Sequence, residues 1–210
     1  MSEPPTLHGR HVRLEPMTLG HVDELATAAG GDRSTYLYTA VPPDPPATAA
    51  YVEKALAASA AGRQVPFVTR RLADGRVVGA TRFYDLETWD WSSSLPGPEA
   101  GRSGPGPDTV HIGHTWLVPD AQRSPVNTEA KLLMLTFAFE VWRVRVVRLQ
   151  TDSRNDRSRR AIERLGCRLD GILRVDRPAT DGSVRDSAVY SMVAAEWPAA
   201  RVALRGRLTP

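Results

Sequence analysis

Residues 109–142 read TVHIGHTWLVPDAQRSPVNTEAKLLMLTFAFEVW, and this stretch decides the fold. Alternation over 109–118 puts Val110, Ile112, His114, Trp116 and Val118 on one face. His111, Gly113, Thr115 and Leu117 fall on the other, which predicts a strand buried mostly on both sides. After a short polar step, Ala130, Leu133, Phe137, Ala138 and Val141 recur at helical spacing and predict a helix over 126–142. Ser124 is its expected N-cap and Pro125 its first residue, where a missing N–H costs nothing.

Upstream, Val12 and Leu14 alternate with Arg13 and Glu15 as a strand, and a helix is predicted over 19–29 behind Thr18. A second helix is predicted over 47–61. Strands over 65–72 and 77–84 follow, joined by a turn holding Asp74 and Gly75, a strong hairpin signal. Residues 86–108 contain four Gly, four Pro and four Ser and read as a long loop, with Trp89 and Trp91 near its start. Downstream come a strand over 144–151, a helix over 155–165 stopped at Gly166, and a hairpin of strands 168–176 and 184–193 around Asp181 and Gly182. The order is that of a mixed sheet with helices packed on it, forming one domain over 1–197 with a tail over 198–210.

Composition narrows the function classes. At 210 residues, with 41% hydrophobic and 24% charged residues, the chain has an ordinary globular composition. No apolar run approaches the ~20 residues needed to span a bilayer. The first twenty residues carry no secretory pattern, so the expected address is the cytoplasm. Cys167 is the only cysteine, which excludes an internal disulfide scaffold and a multi-cysteine zinc site, and no metal is expected. Net charge is +3, with 27 basic and 24 acidic residues interleaved. All the basic residues except Lys54 and Lys131 are arginine, read here as the codon bias of a GC-rich bacterial genome rather than a nucleic-acid footprint.

The two strand-to-helix junctions are where chemistry can sit. A helix start exposes about four unpaired N–H groups and roughly half a positive charge, and Arg123 adds a guanidinium beside the helix that begins at 125. A phosphate or pyrophosphate fits such a place, although every strand-helix junction offers similar geometry. The junction at 151–158 repeats the theme. Asn155 and Ser158 are its polar groups, and Arg157, Arg159 and Arg160 are candidate phosphate partners.

Several motifs together resemble a known family: LHGRHVRLEP at 7–16, WLVP at 116–119, NTEAKLL at 127–133, Asn155 with Ser158 and Ala161, Leu165-Gly166, and DGSVRD at 181–186. The chain resembles the GCN5-related N-acetyltransferases (GNAT), in the branch of the RimJ and RimL ribosomal-protein acetyltransferases. The resemblance implies an α/β (α+β) fold whose mostly antiparallel twisted sheet has a splayed central pair of parallel strands. It further implies acetyl-CoA as co-substrate and a primary amine, on a small molecule or a protein amino terminus, as acceptor. Backbone around Leu117 and Val118 would hold the acetyl carbonyl and pantetheine. The loop with Gln122, Arg123, Ser124, Val126, Asn127 and Thr128 would wrap the pyrophosphate, with Asn155 and Ser158 lining the far side.

Two departures from the family pattern stand out. Arg123 and Pro125 occupy positions where the family's pyrophosphate loop has glycines, and Ile162 falls where many members carry a proton-donating tyrosine. In the RimL-like branch the acid-base pair maps onto Asp170 and Ser158. His111 and His114 compete as bases, and strict alternation would place them on opposite faces. Trp89 and Trp91 are candidates for the acceptor pocket. Cys167 reads as a small core residue. The alternatives are a CoA-binding sensor or scaffold without turnover, and a transferase for another acyl group such as succinyl, with Arg82 or Arg174 as the extra cation. The family often forms homodimers, and nothing points to nucleic acid or membrane as a partner.

Overall fold

The structure is a computed structural model that describes residues 5–92, 101 and 104–209. Its strands are β1 (Leu7–His8), β2 (Val12–Pro16), β3 (Gln64–Arg71), β4 (Val77–Glu87), β5 (Thr109–Leu117), β6 (Val146–Asp152), β7 (Arg168–Pro178) and β8 (Val184–Val193). Its α-helices are α1 (Val22–Ala29), α2 (Pro45–Ala60), α3 (Pro125–Thr136), α4 (Asp156–Glu163) and α5 (Trp197–Gly206). The strands form one sheet in the order β1-β2-β3-β4-β5-β6-β8-β7. Every neighbouring pair is antiparallel except β5 and β6, which run parallel at the centre.

Local chemistry sets the boundaries. The Asp44 side chain accepts the Ala47 N–H at 2.8 Å, so α2 starts at Pro45, two residues before the apolar periodicity suggests. Gly75 takes φ +71° in the β3–β4 turn, a conformation that glycine adopts without strain. The predicted helix over 126–142 changes character at its end. Regular α-helix stops at Thr136, and Phe137–Trp142 forms a π-helical turn closed by Arg143 at φ +56°. The wider turn buries three consecutive residues toward two neighbours, with Phe137 against Phe83 and Phe139 stacked on Trp197 at 5.5 Å. Of the expected loop over 86–108, β4 takes the first two residues, and 93–100, 102 and 103 lie outside the described residues. The segment read as a tail is helical in α5, which buries Trp197, Ala200 and Leu204.

The core lies on both sides of the sheet and includes Val12, Leu14, Phe67, Phe83, Ile112, Leu149 and Tyr190, all fully or nearly fully buried. One carboxylate docks α3 onto the N-terminal strands. Buried Glu129 accepts the backbone N–H groups of Arg10, His11 and Val12 at 2.8, 2.6 and 2.8 Å. Three donors on one carboxylate offset the cost of burying its charge. Cys167 is buried, and desolvation pushes its thiol up to about 12, as suits a packing residue rather than a nucleophile.

Candidate active site

The parallel pair is short. β5 and β6 pair only at Thr109–Val146, Val110–Val147 and His111–Arg148. Beyond that point β5 continues with β4 as far as Leu117, and β6 continues with β8 as far as Asp152, so the sheet opens between them. A bulge on β5 accompanies the opening. Ala80 pairs with Trp116 and Arg82 with Gly113, leaving His114 and Thr115 opposite Thr81 alone, and His114 takes φ +49°. A bulge leaves one residue outside the ladder and sharpens the local twist, which turns β5 away from β6.

The bulge also corrects the alternation. His111 and His114 do not lie on opposite faces, because both pack on the Tyr84 ring, at centroid distances of 5.1 and 5.0 Å. The extra residue at 114 shifts the side-chain period by one. Gly113 makes the arrangement possible. A Cβ there would sit 2.8 Å from the Tyr84 ring, so its absence lets Tyr84 lie over β5 and accept a hydrogen bond from Gln150 Nε2 on β6 at 3.2 Å.

Both imidazoles are held neutral. Desolvation first, then the charges of Arg82, Arg177, Lys54 and Arg185, push the His114 pKa down to about 4. The residue is exposed to water although protein and cations crowd around it. His111 is lowered mainly by desolvation, and its Nδ1 is buried without a partner.

The expected cofactor residues gather at the open end. Ser124 caps α3 by accepting the Val126 N–H at 3.3 Å, and Arg123 takes φ +57°, the left-handed conformation a glycine would adopt freely. Asn127 and Thr128 lie half-buried in the first turn. Gln122 Nε2 donates to the Leu117 carbonyl and to Thr35 Oγ1, each at 2.9 Å, while its Oε1 accepts from Arg157 at 2.9 Å. Arg157 therefore links the α3 loop to the start of α4 across the opening. The Leu117 carbonyl also accepts from Tyr36 Oη at 3.3 Å, and the Val118 N–H donates to the Val78 carbonyl at 2.8 Å. Both backbone groups expected at the pantetheine thus have protein partners. Asn155 is the α4 cap, accepting the Ser158 N–H at 3.0 Å, with Ser158 half-buried, Arg160 exposed and Ile162 buried along that helix.

Other expectations are not brought together. Asp170 lies on edge strand β7, with β8 between it and β6, and accepts from Ser191 Oγ at 2.7 Å. Ser191 pairs with Arg148, whereas the adjacent Tyr190 turns its hydroxyl to Arg159 and Glu163 of α4. The sheet therefore lies between Asp170 and Ser158, since neighbouring strand residues face opposite ways. Trp89 and Trp91 sit at the paired end of β5 and β6 rather than the open end. The Arg145 guanidinium lies 5.8 Å from the Trp89 ring and 5.0 Å from the Trp91 ring, and Asp108 accepts from the Trp89 N–H and from Arg145 Nε.

The sequence reading missed Tyr84 and Gln150, whose positions depend on the bulge, and the chemistry of Lys131. Lys131 is almost fully buried on α3, donates to Thr115 Oγ1 at 2.7 Å and Thr81 Oγ1 at 3.1 Å, and is pushed down to about 7 by desolvation. The signal for it was a rare lysine on an apolar helix face of an arginine-rich chain. Among the described residues no group of three or more His, Cys, Asp or Glu side chains could hold a metal ion, and no helix is long and apolar enough to cross a membrane.

Comparison with known proteins bears on this geometry. The Acetyltransferase (GNAT) domain matches residues 11–168. A Thermus thermophilus protein proposed to be an acetyltransferase is 33% identical, with a TM-score of 0.77 and 100% of each chain covered. A GCN5-related N-acetyltransferase from Brucella melitensis is 27% identical, with a TM-score of 0.81, covering 99% of this chain and 88% of that one. Mycobacterium smegmatis RimJ, solved in complex with CoA-disulfide, shares the fold at 19% identity and a TM-score of 0.77, covering 97% of this chain and 95% of its own. No protein of curated function matches the sequence.

Proposed function

Because the chain belongs to the GNAT acetyltransferase family, we propose that it transfers the acetyl group of acetyl-CoA to a primary amine, on a small molecule or a peptide amino terminus, by direct attack. The observation that carries this reading is the opening of the sheet after His111 and Arg148, with the β5 bulge on one side and the joined starts of α3 and α4 on the other. The gap takes the pantetheine arm along Leu117 and Val118, and the Gln122 amide yields the Leu117 carbonyl as the arm enters. First-turn N–H groups at Val126, Asn127 and Thr128, with Ser124 and the Arg123 guanidinium, receive the pyrophosphate. Asn155, Ser158 and Arg160 bound the other side.

The reaction forms a C–N bond and breaks a C–S bond, so the amine must lose a proton and the sulfur must gain one. His114, neutral at pH 7 and exposed, takes the proton that the amine nitrogen sheds as its bond to the carbonyl carbon forms and makes that nitrogen acidic. His111 stands behind Tyr84 as the second imidazole. The backbone outside the ladder at His114 and Thr115 faces the developing oxyanion. Ile162 has no proton to give, so the Ser158 hydroxyl or water protonates the sulfur. Positioning two reactants across one strand supplies most of the rate.

Ile162 also favours a second reading, a CoA-binding protein without turnover. Calorimetric titration with acetyl-CoA, succinyl-CoA and CoA, alongside thiol release over pooled primary amines, separates the cases. Acetyl-CoA binding with amine-dependent thiol release is the expected result. Binding without release selects the sensor, a succinyl preference selects the other acyl group, and no binding of any CoA species refutes the proposal.

A further inference from the structure

Arg82 lies on β4, two residues before Tyr84 and on the same face, under α2. It is 5% exposed. Its Nη1 donates to Gln64 Oε1 at 2.7 Å, and the guanidinium lies 4.9 Å from the Tyr51 ring of α2. Its Nε and Nη2 have no partner, and neither does the buried hydroxyl of Tyr51, whose ring lies against the guanidinium. Among the described residues no carboxylate lies within ion-pair distance. A buried guanidinium is always charged, and leaving it without a counter-charge is costly.

The pattern of the open donors is specific. Nε and Nη2 form one edge of the guanidinium, the fork that matches two carboxylate oxygens. This chain uses that edge three times elsewhere, from Arg70 to Glu15, from Arg71 to Asp74 and from Arg154 to Asp152. Further cations, Lys54, Arg177 and Arg185, act on the neighbouring His114 from α2, β7 and β8. Tyr51 and Lys54 also line an open groove of about 340 Å³ between α2 and residues 40–43.

We infer that the Nε–Nη2 edge of Arg82, with the Tyr51 hydroxyl, binds a carboxylate carried by the amine acceptor. The inference rests on the acetyltransferase reading and deepens it. The carboxylate belongs to the acceptor rather than to the acyl group because Arg82 shares the face of Tyr84 and His111. Thr81, Thr115 and Lys131 occupy the opposite face, toward α3 and the expected cofactor. Both donors are closed to water, so the Tyr51 ring shifts when the ligand enters. The acceptor class is thus amines that carry a carboxylate, free amino acids among them.

The test measures thiol release from acetyl-CoA with free amino acids and with the same amino acids as primary amides. At neutral pH the amides hold more neutral amine, so a preference for acids runs against the supply of reactive amine. The expected result is at least a ten-fold higher kcat/KM for acids, collapsing toward unity in Arg82→Gln and only partly restored in Arg82→Lys, which keeps the charge without the fork. Equal rates for acids and amides in the wild-type protein overturn the inference while leaving the acetyltransferase reading intact, and so does a preference that survives Arg82→Gln. A preference for succinyl-CoA over acetyl-CoA with uncharged amines that disappears in Arg82→Gln moves the carboxylate to the acyl group and also overturns it. Should no amine be acetylated, titration of the CoA-loaded protein with N-acetyl amino acids and N-acetyl amino amides decides. Ten-fold tighter binding of the acids, lost in Arg82→Gln, supports the carboxylate site, and equal binding refutes it.

Discussion

Replacing Lys131 by Met should stabilise the protein at neutral pH, by an amount that shrinks as pH rises. The Lys131 amine is buried, and its partners are the Thr81 and Thr115 hydroxyls, with no carboxylate. Desolvation alone lowers its pKa from 10.5 to about 7. Between pH 7 and 10.5 the unfolded chain holds a proton there that the folded chain does not, so wild-type stability rises with pH across this window. Below pH 7 both states are protonated and the penalty is constant, at about 4–5 kcal/mol for ~1.36 kcal/mol per pKa unit. Methionine removes that penalty and costs two neutral hydrogen bonds at about 1 kcal/mol each. Thr81 and Thr115 still bond each other at 2.8 Å. The net expectation is a gain of roughly 3 kcal/mol at pH 7, turning into a loss of roughly 1–2 kcal/mol near pH 10.5. Urea unfolding of both proteins across this range, followed by tryptophan fluorescence, measures the difference. A stability difference that does not change with pH would refute the reasoning, because it would mean that Lys131 enters the fold charged.

Three further perturbations test other parts of the site. Gly113→Ala drives a methyl group into the Tyr84 ring at 2.8 Å and should cost about 1–3 kcal/mol in denaturant unfolding, whereas unchanged stability would remove Tyr84 from above β5. Glu129→Gln weakens the three N–H contacts that dock α3 on residues 10–12 and should lower stability by about 2–4 kcal/mol, and a negligible loss would show that other packing holds the helix. With the His114 pKa at about 4, wild-type kcat/KM should show no histidine break near pH 6.5, and the fall that His114 causes should appear only as pH drops toward 4, where the imidazole takes its proton. A break at pH 6–7 that vanishes in His114→Gln would contradict a neutral, desolvated His114.

The elements were legible wherever local chemistry specified them. Ser124 and Pro125 start α3, Asp74 and Gly75 turn β3 into β4, and the apolar residues alternating from Val110 to Trp116 mark β5. What could not be read was whatever depends on register. The strict alternation of 109–118 separates His111 from His114, and one residue outside the ladder at 114 reverses that. Asp170 and Ser158 are twelve positions apart and look like a pair until β7 and β8 place the sheet between them. The spacing of Trp89 and Trp91 gave no sign that Arg145 would hold them at the closed end of the parallel pair. Arg82 reads in sequence as one more arginine in a strand, and only the α2 crossing above it shows that its donors are buried and open.

The bulge at His114 gives the proposed transfer a place for donor and acceptor to meet in a sheet that otherwise keeps its faces apart. Regular pairing would continue β5 along β6 and leave no room for a ligand between the strands. The extra residue ends that pairing and turns an imidazole onto Tyr84. Thr115, the next residue, points to the other side, where Lys131 meets it. One strand therefore presents a proton acceptor to one face and a hydroxyl to the other within two consecutive residues, with unladdered backbone between them. The cations are divided along the same line. Arg82, Lys54, Arg177 and Arg185 gather around His114, while the start of α3 with Arg123 and the start of α4 with Arg157 and Arg160 stand at the opening. Cations near His114 hold its imidazole unprotonated, and the same charges would favour the acceptor carboxylate proposed for Arg82.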